Sequence, residues 1–361
     1  MTRIKSLVFY FSTAICIFFF GVSTSFIATK NRHWFTDRLL SPLTPQSWTS
    51  PQDLPLNAFS IPALKTRVFG PTQLSIIDSG QEEMGYVKYL VSFSTLGKRM
   101  TAQLNIPNTL DTSNPPPLIL MLRGYVPLSI YETGMGTKNA AARFAQAGYI
   151  TIAPDFFGFG QSDPEPDDTW QARFEKPAIV AELIATVKTG IPVEPNGNTV
   201  IPPKLGIWAH SNGGQIALTT LEVLRASYPT TLWAPVTAPF PYSILYFGDE
   251  VEDEGKAQRA WIALFERDYD VHKFSHTQYL PDLRGPLQFQ QGTSDDAVPY
   301  FWTDEFIDKL ETENLRRRAD ASAPAEIEVT HYTYPGADHN LVGAWETAIR
   351  RDLEFFTKYF R

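Results

Sequence analysis

The sequence predicts an α/β protein, a mostly parallel central sheet with helices on both faces, and three observations carry that reading. From about Leu118 onward, short strand-like runs alternate with longer helical segments, the pattern of strands joined by crossover helices. Ahead of them, Tyr86 to Ser94 and Lys98 to Ile106 flank Thr95-Leu96-Gly97, which reads as a hairpin. Finally, 361 residues with 43% hydrophobic content suffice for one large α/β domain with a sizeable core or two modest ones, and no internal repeat or low-complexity tract suggests another architecture.

Taken in order, Arg3 and Lys5 precede an uncharged stretch from Ser6 to Thr29, densest between Leu7 and Val22 with the triplet Phe18-Phe19-Phe20. This segment, residues 1–30, is expected to enter a membrane. It is long enough for the roughly 20 apolar residues of an uncleaved anchor, and Ser23-Thr24-Ser25 also offers the small residues of a signal-peptide cut. Residues 31–85 carry Ser41-Pro42, Thr44-Pro45, Thr49-Ser50-Pro51, Pro55, Pro62 and Pro71 without a sustained period, so an irregular Pro/Ser/Thr-rich arm is expected there. The domain expected over 86–361 opens with the hairpin. After Asn114-Pro115-Pro116-Pro117 come a strand at Leu118–Leu122, a helix near 137–147 and a strand at 149–154. A helix from about Trp170 to Lys188, a strand at Leu205–Ala209 and a helix over 213–226 follow. Leu232–Val236, Leu287–Gln291 and Ile327–Tyr334 supply further strands, and Trp345, Ile349, Leu353 and Phe356 mark one face of a C-terminal helix.

Composition removes several classes of function. Thirty-one Lys and Arg against 39 Asp and Glu give a net charge of -8, so no overall positive field would gather nucleic acid. The single cysteine, Cys16, lies in the N-terminal apolar run, which excludes an internal disulfide framework and a cysteine metal cluster. Of six histidines only His272 and His276 stand four apart, without the acidic residue that an HExxH zinc motif places between them.

The most informative stretch is Leu205-Gly206-Ile207-Trp208-Ala209-His210-Ser211-Asn212-Gly213-Gly214, an apolar strand running through a tight turn into a helix. A nucleophilic hydroxyl raised on such a turn needs small residues two before and two after the serine, because strand and helix then pass closely. Ala209 and Gly213 meet that demand, although glycine is the usual residue at the first position. Downstream, Leu287 to Pro299 is a strand ending in a loop that presents Asp295 and Asp296, and Tyr334-Pro335-Gly336-Ala337-Asp338-His339 is a strand ending in a loop that presents a histidine. The order is Ser, Asp, His. A serine hydroxyl is a weak nucleophile until an imidazole accepts its proton, and that imidazole needs a carboxylate on its other nitrogen. Each group follows its own strand, on the edge where open α/β sheets build their sites.

With these residues in view the chain resembles an α/β-hydrolase, and it is most similar to the catalytic domain of the prolyl oligopeptidase family and its dienelactone-hydrolase-like relatives. The matching motifs are Ala-His-Ser-Asn-Gly-Gly, Gly-Thr-Ser-Asp-Asp-Ala-Val-Pro and Tyr-Pro-Gly-Ala-Asp-His, spread over roughly residues 86 to 361. The resemblance implies Ser211, Asp295 and His339 as the catalytic residues, with Asp296 capping the helix near Pro299 and Asp338 serving its loop. It also implies an oxyanion hole built from the N–H groups of Asn212 and Tyr125, the latter by aligning Leu122-Arg123-Gly124-Tyr125 with the family's His-Gly-x, in which Arg123 departs from the usual histidine.

The expectation is therefore a membrane-anchored or exported serine hydrolase, its catalytic domain outside the cytoplasm, that cleaves peptide or ester bonds through an acyl-enzyme on Ser211 with no metal or organic cofactor. A prolyl-oligopeptidase-like peptidase comes first, a carboxylesterase second, and a catalytically inactive binding protein third, disfavoured because the triad is complete. The 85 residues before Tyr86 are too few for the β-propeller that true peptidases of this kind usually carry. The acidic run Asp249, Glu250, Glu252, Asp253, Glu254 reads as a solvated loop, and His272, His276, Tyr269, Phe274 and Tyr279 as irregular surface packing.

Overall fold

The hairpin around Thr95–Gly97 is the antiparallel wing of one large sheet. The structure is a computed structural model that describes residues 54–195, 197–246, 248 and 252–361. Leu54–Arg361 form one unit. The expected anchor or signal segment, 1–30, lies outside the described residues, as does the first part of the arm. Among the described residues no helix is long and apolar enough to cross a membrane.

The described half of the arm is not irregular, contrary to expectation. A 3-10 turn at Pro55–Phe59 leads into α1 (Ile61–Thr66), started by Ser60, whose Oγ accepts the Ala63 N–H, with Pro62 where a helix tolerates it. Two short strands follow, β1 (Ser75–Ile76) and β2 (Gln81–Glu83), both paired antiparallel with β3 (Tyr86–Thr95). Of the prolines that read as a linker, Pro55 and Pro62 thus start helical turns, and Ile61 and Leu64 are buried against Ala178 and Val223.

β4 (Lys98–Pro107) returns from the hairpin. Then come β5 (Leu118–Leu122), α2 (Lys138–Gln146) and β6 (Ile150–Pro154). The predicted helix at 170–188 is two helices, α3 (Thr169–Phe174) and α4 (Lys176–Val187), with Pro177 in the first turn of the second. After a small ribbon of β7 (Ile191–Pro192) and β8 (Thr199–Val200) the chain continues through β9 (Leu205–His210), α5 (Asn212–Leu224) and β10 (Thr230–Trp233). β10 stops three residues short of the expected Val236. α6 (Tyr242–Leu245), α7 (Lys256–Asp268), β11 (Leu287–Gly292), α8 (Tyr300–Ala319), β12 (Val329–Tyr334) and α9 (Trp345–Phe360) complete the chain.

The strand order is β1-β3-β4-β6-β5-β9-β10-β11-β12. The pairs from β6 to β12 are all parallel, as the strand and helix alternation predicts. Register explains why the central strands are apolar throughout. Leu118, Leu120 and Leu122 of β5 join Ile179, Leu183 and Leu221 in one core, while Ile119 and Met121 join Phe144, Ile349 and Phe356 in the other. Removing each such side chain from water contributes about 1.5–3 kcal/mol. The strands end together on one edge of the sheet, and Ser211, Asp295 and His339 all follow strand ends there.

Candidate active site

The serine stands on a strained turn. Ser211 has φ 58° and ψ −127°, a left-handed conformation that a non-glycine residue adopts only when its surroundings hold it. They do so with three hydrogen bonds: its N–H donates to Trp233 O at 2.9 Å, and its carbonyl accepts from Gly214 N at 2.9 Å and Val236 N at 3.0 Å. The crowding behind the turn accounts for the glycines. A Cβ on Gly213 would lie 2.3 Å from Leu122 O, and one on Gly214 would lie 2.5 Å from Pro235 Cβ. Ala209 sits in the core with no exposure, so the extra methyl at that position is accommodated.

Asp295 and His339 are brought together by two loops that nearly touch. Thr293 N donates to Tyr334 O at 3.1 Å and Ser294 N to Ala337 O at 3.0 Å. A Cβ on Gly292 would sit 2.3 Å from Ala337 O, so only glycine permits the approach. The Asp295 side chain is fully buried. Its Oδ1 accepts the N–H groups of Val298 at 2.7 Å and Ala297 at 3.0 Å, and its Oδ2 accepts from Gln291 Nε2 at 2.9 Å. His339 Nδ1 lies 2.9 and 3.0 Å from the two carboxylate oxygens. This fixes the ring with Nδ1–H toward the acid and Nε2 free to act as a base.

Asp296 is exposed, and α8 has no side-chain cap, so the expected capping role is absent. Asp295 itself binds the N–H groups ahead of that helix. Asp338 orders its loop as expected, its Oδ1 accepting from Asn340 N at 3.0 Å and Val342 N at 2.9 Å.

A histidine that the sequence reading left without a role holds His339 from behind. His210 Nε2 is 2.9 Å from His339 O, and the two rings are 4.7 Å apart. Burial, then the neighbouring His339, push its pKa down to about 4. His210 is therefore neutral near pH 7 and donates to the carbonyl without setting a second positive charge beside the imidazole. Its place immediately before the serine was the only available signal.

Asn212 opens α5, so its N–H has no partner within the helix. Tyr125 follows Gly124, whose Cβ, if it had one, would lie 2.6 Å from Ser211 Cβ. This close pass brings the 124–125 segment against the serine. Arg123 fixes the segment from below. Its Nη1 donates to Gly124 O at 3.0 Å and its Nη2 to Asp155 O at 2.7 Å, with the guanidinium 4.2 Å from the Phe159 ring centre and 4.6 Å from that of Tyr131. The departure from histidine thus supplies an anchor for the loop.

Two hollows flank the serine turn. One is a cavity of about 30 Å³ between α3, α4 and the first turns of α5, lined among others by Phe59, Arg173, Phe174, Asn212, Gln215 and Phe274. The other is a groove of about 490 Å³ between residues 136–140 and 340–345, with Trp208, His210 and Trp233 at its base. Phe274 and His276 are buried rather than surface residues, a correction to the sequence reading, while His272 is exposed. In the acidic run, Asp249 and Glu250 lie outside the described residues, and Asp253 accepts the Gly255 and Ala257 N–H groups at the start of α7. Among the described residues no cluster of His, Cys, Asp and Glu is arranged to hold a metal ion.

No protein-family profile and no curated protein sequence matches the chain. Solved structures do. The chain is similar to acetyl xylan esterase 1 from Thermoanaerobacterium sp. at 14% identity, covering 83% of this chain and 93% of that one with a TM-score of 0.55. An esterase of Pyrococcus furiosus is similar at 15% identity, with 81% and 98% coverage and a TM-score of 0.51. A puromycin-hydrolysing peptidase of Mycobacterium tuberculosis is similar at 16% identity, with coverage of 77% of this chain but 40% of that chain and a TM-score of 0.52. The chain has the α/β-hydrolase fold.

Proposed function

We propose that the protein is a serine hydrolase acting on esters of short acyl groups, with Ser211 as nucleophile, His339 as base and Asp295 as the acid that orients it. The observation that carries this reading is the buried Asp295 carboxylate 2.9 Å from His339 Nδ1, on the same edge of the sheet as a serine held at φ 58°. In the reaction, His339 Nε2 takes the Ser211 proton as Oγ attacks the ester carbonyl, and the N–H groups of Asn212 and Tyr125 receive the oxyanion. His339 then returns the proton to the departing alcohol. A water activated by the same nitrogen frees the acid from Ser211.

Ester is preferred to peptide because of the unequal hollows. The leaving group must face His339 to be protonated, and the 490 Å³ groove runs along the His339 loop. The acyl chain then extends past Asn212, where the cavity offers only about 30 Å³, room for about two water-sized atoms. The end of a short unbranched acyl chain, about two or three non-hydrogen atoms, fits such a space, and the branched, continuing backbone of a peptidyl residue does not. Likeness to the two esterases over nearly their whole length supports the same choice.

The test uses purified protein on p-nitrophenyl acetate and on aminoacyl and prolyl p-nitroanilides, with Ser211→Ala alongside. Ester turnover should fall by roughly 10⁴ to 10⁶ in the variant, and a fluorophosphonate should label only the parent. Ester turnover surviving in Ser211→Ala would refute the assignment. Efficient anilide cleavage through Ser211 would favour the peptidase reading.

A further inference from the structure

Arg173 is a charged group enclosed beside the proposed acyl site without an anion. It lies half-buried on α3, its Nη2 donating to Gln215 Oε1 at 3.0 Å, and its Nε is shut off from solvent with no acceptor. Among the described residues no carboxylate lies within ion-pair distance of it. Glu175, two residues on, accepts from Gln171 Nε2 instead, at 3.2 Å. Burial alone draws the Arg173 pKa down to about 10. Lys176 is likewise pushed down to about 8, chiefly by burial, with Glu165 and Glu175 opposing the charges of Arg173 and Arg123.

A guanidinium partly withdrawn from water without a counter-charge is destabilised, and its planar fork matches a carboxylate. The residue lines the same cavity as Asn212 and Gln215. Because the Gln215 carbonyl is committed to Arg173, its NH₂ remains as a second donor on that wall. The available space, about 30 Å³, matches the two oxygens of a carboxylate at about 10–15 Å³ per water-sized atom.

Building on the ester-hydrolase reading, we propose that this cavity receives an anionic acyl terminus, so that the preferred substrates are half-esters of short dicarboxylic acids. Ser211 Oγ forms the bond to the ester carbonyl, the alcohol leaves with the proton from His339, and water releases the dicarboxylate. The distal carboxylate takes no part in bond making. It pairs with Arg173 and positions the carbonyl under the oxyanion donors.

The experiment measures kcat/KM for monoethyl malonate, succinate and glutarate against neutral isosteres in which an isopropyl group replaces the free carboxylate: ethyl 3-methylbutanoate, 4-methylpentanoate and 5-methylhexanoate. One half-ester should exceed its isostere by at least tenfold. Arg173→Met should lower that ratio at least tenfold, and Arg173→Lys should give an intermediate ratio, with fluorophosphonate labelling of Ser211 confirming that each variant is folded. Neutral isosteres preferred at every length by the parent protein, or a ratio unchanged in a labelled Arg173→Met, would overturn the anionic subsite while leaving the Ser211 hydrolase reading intact. Absence of turnover on every ester would overturn both.

Discussion

Gly124→Ala tests the site without removing any group that does chemistry. Gly124 has an ordinary φ, so an alanine meets no backbone strain, only neighbours. Its Cβ would lie 2.6 Å from Ser211 Cβ, 3.1 Å from Ser211 Oγ and 3.3 Å from His210 O. The first distance is about 0.8 Å short of the roughly 3.4 Å at which ordinary contact begins. Neither side can yield freely, because Ser211 is tied through three backbone hydrogen bonds and Arg123 holds Gly124 O. Whichever moves, the nucleophile and the Tyr125 N–H separate from their working positions by most of an ångström. A displacement near 1 Å costs about 100-fold in rate, and overpacking costs about 1–3 kcal/mol of stability. The assay is kcat/KM on p-nitrophenyl acetate with thermal unfolding followed by circular dichroism. Gly70→Ala, which meets nothing within 4 Å, is the control. A folded Gly124→Ala protein within threefold of parent activity would show that the 124–125 segment is not part of the site.

Asp295→Asn should lower kcat by about 10⁴, since an amide opposite His339 favours the wrong tautomer, whereas exposed Asp296→Asn should stay within about 0.5 kcal/mol in stability and near parent in activity; equal losses would refute the choice between them. Asp352 is fully buried and accepts from Trp233 Nε1 at 2.7 Å and Gln288 Nε2 at 2.9 Å, and burial pushes its pKa up to about 8. The folded state then holds a proton that the unfolded state releases above about pH 4. Asp352 should therefore lower stability progressively from about pH 4 to pH 8 and no further above that, and Asp352→Asn should flatten this slope in Tm measured against pH. For the N-terminal segment the proposal is retention in the membrane fraction through an alkaline carbonate wash. Recovery of soluble protein beginning near Phe26 would instead indicate cleavage.

What could be read in the sequence, and what could not, divides along a physical line. The parallel strands were visible because burial on both faces forces an unbroken apolar run, as in Leu118–Leu122. Ser211, Asp295 and His339 were visible because each must stand in a short loop whose neighbours are constrained by close backbone passage, and that constraint writes glycines into contiguous sequence at 213 and 292. Less visible were features set by packing at a distance. Prolines at 55 and 62 read as linker signals, yet here they begin helical turns whose apolar residues cover α5. Asp295 and Asp296 are chemically alike, and the groups that hold Asp295 turned inward, the Val298 and Ala297 N–H groups with Gln291 and His339, are set by the fold.

The acyl-side cavity is the extreme case, since Phe59, Phe174 and Phe274 come from three separated segments and no local pattern marks any of them as substrate-facing. Specificity on this fold is therefore expected to be adjustable apart from the chemistry, and Phe59 offers the test. It is partly exposed, so Phe59→Ala forfeits less than the roughly 3–5 kcal/mol of a fully buried phenylalanine. It also removes a wall of the cavity without touching Ser211, His339 or either oxyanion donor. The ratio of kcat/KM for p-nitrophenyl hexanoate to that for the acetate should rise about tenfold, the scale on which one or two methylene groups are discriminated in an apolar pocket. A ratio unchanged in a folded Phe59→Ala protein would place the acyl chain elsewhere, and the size argument for ester over peptide would then lose its foundation.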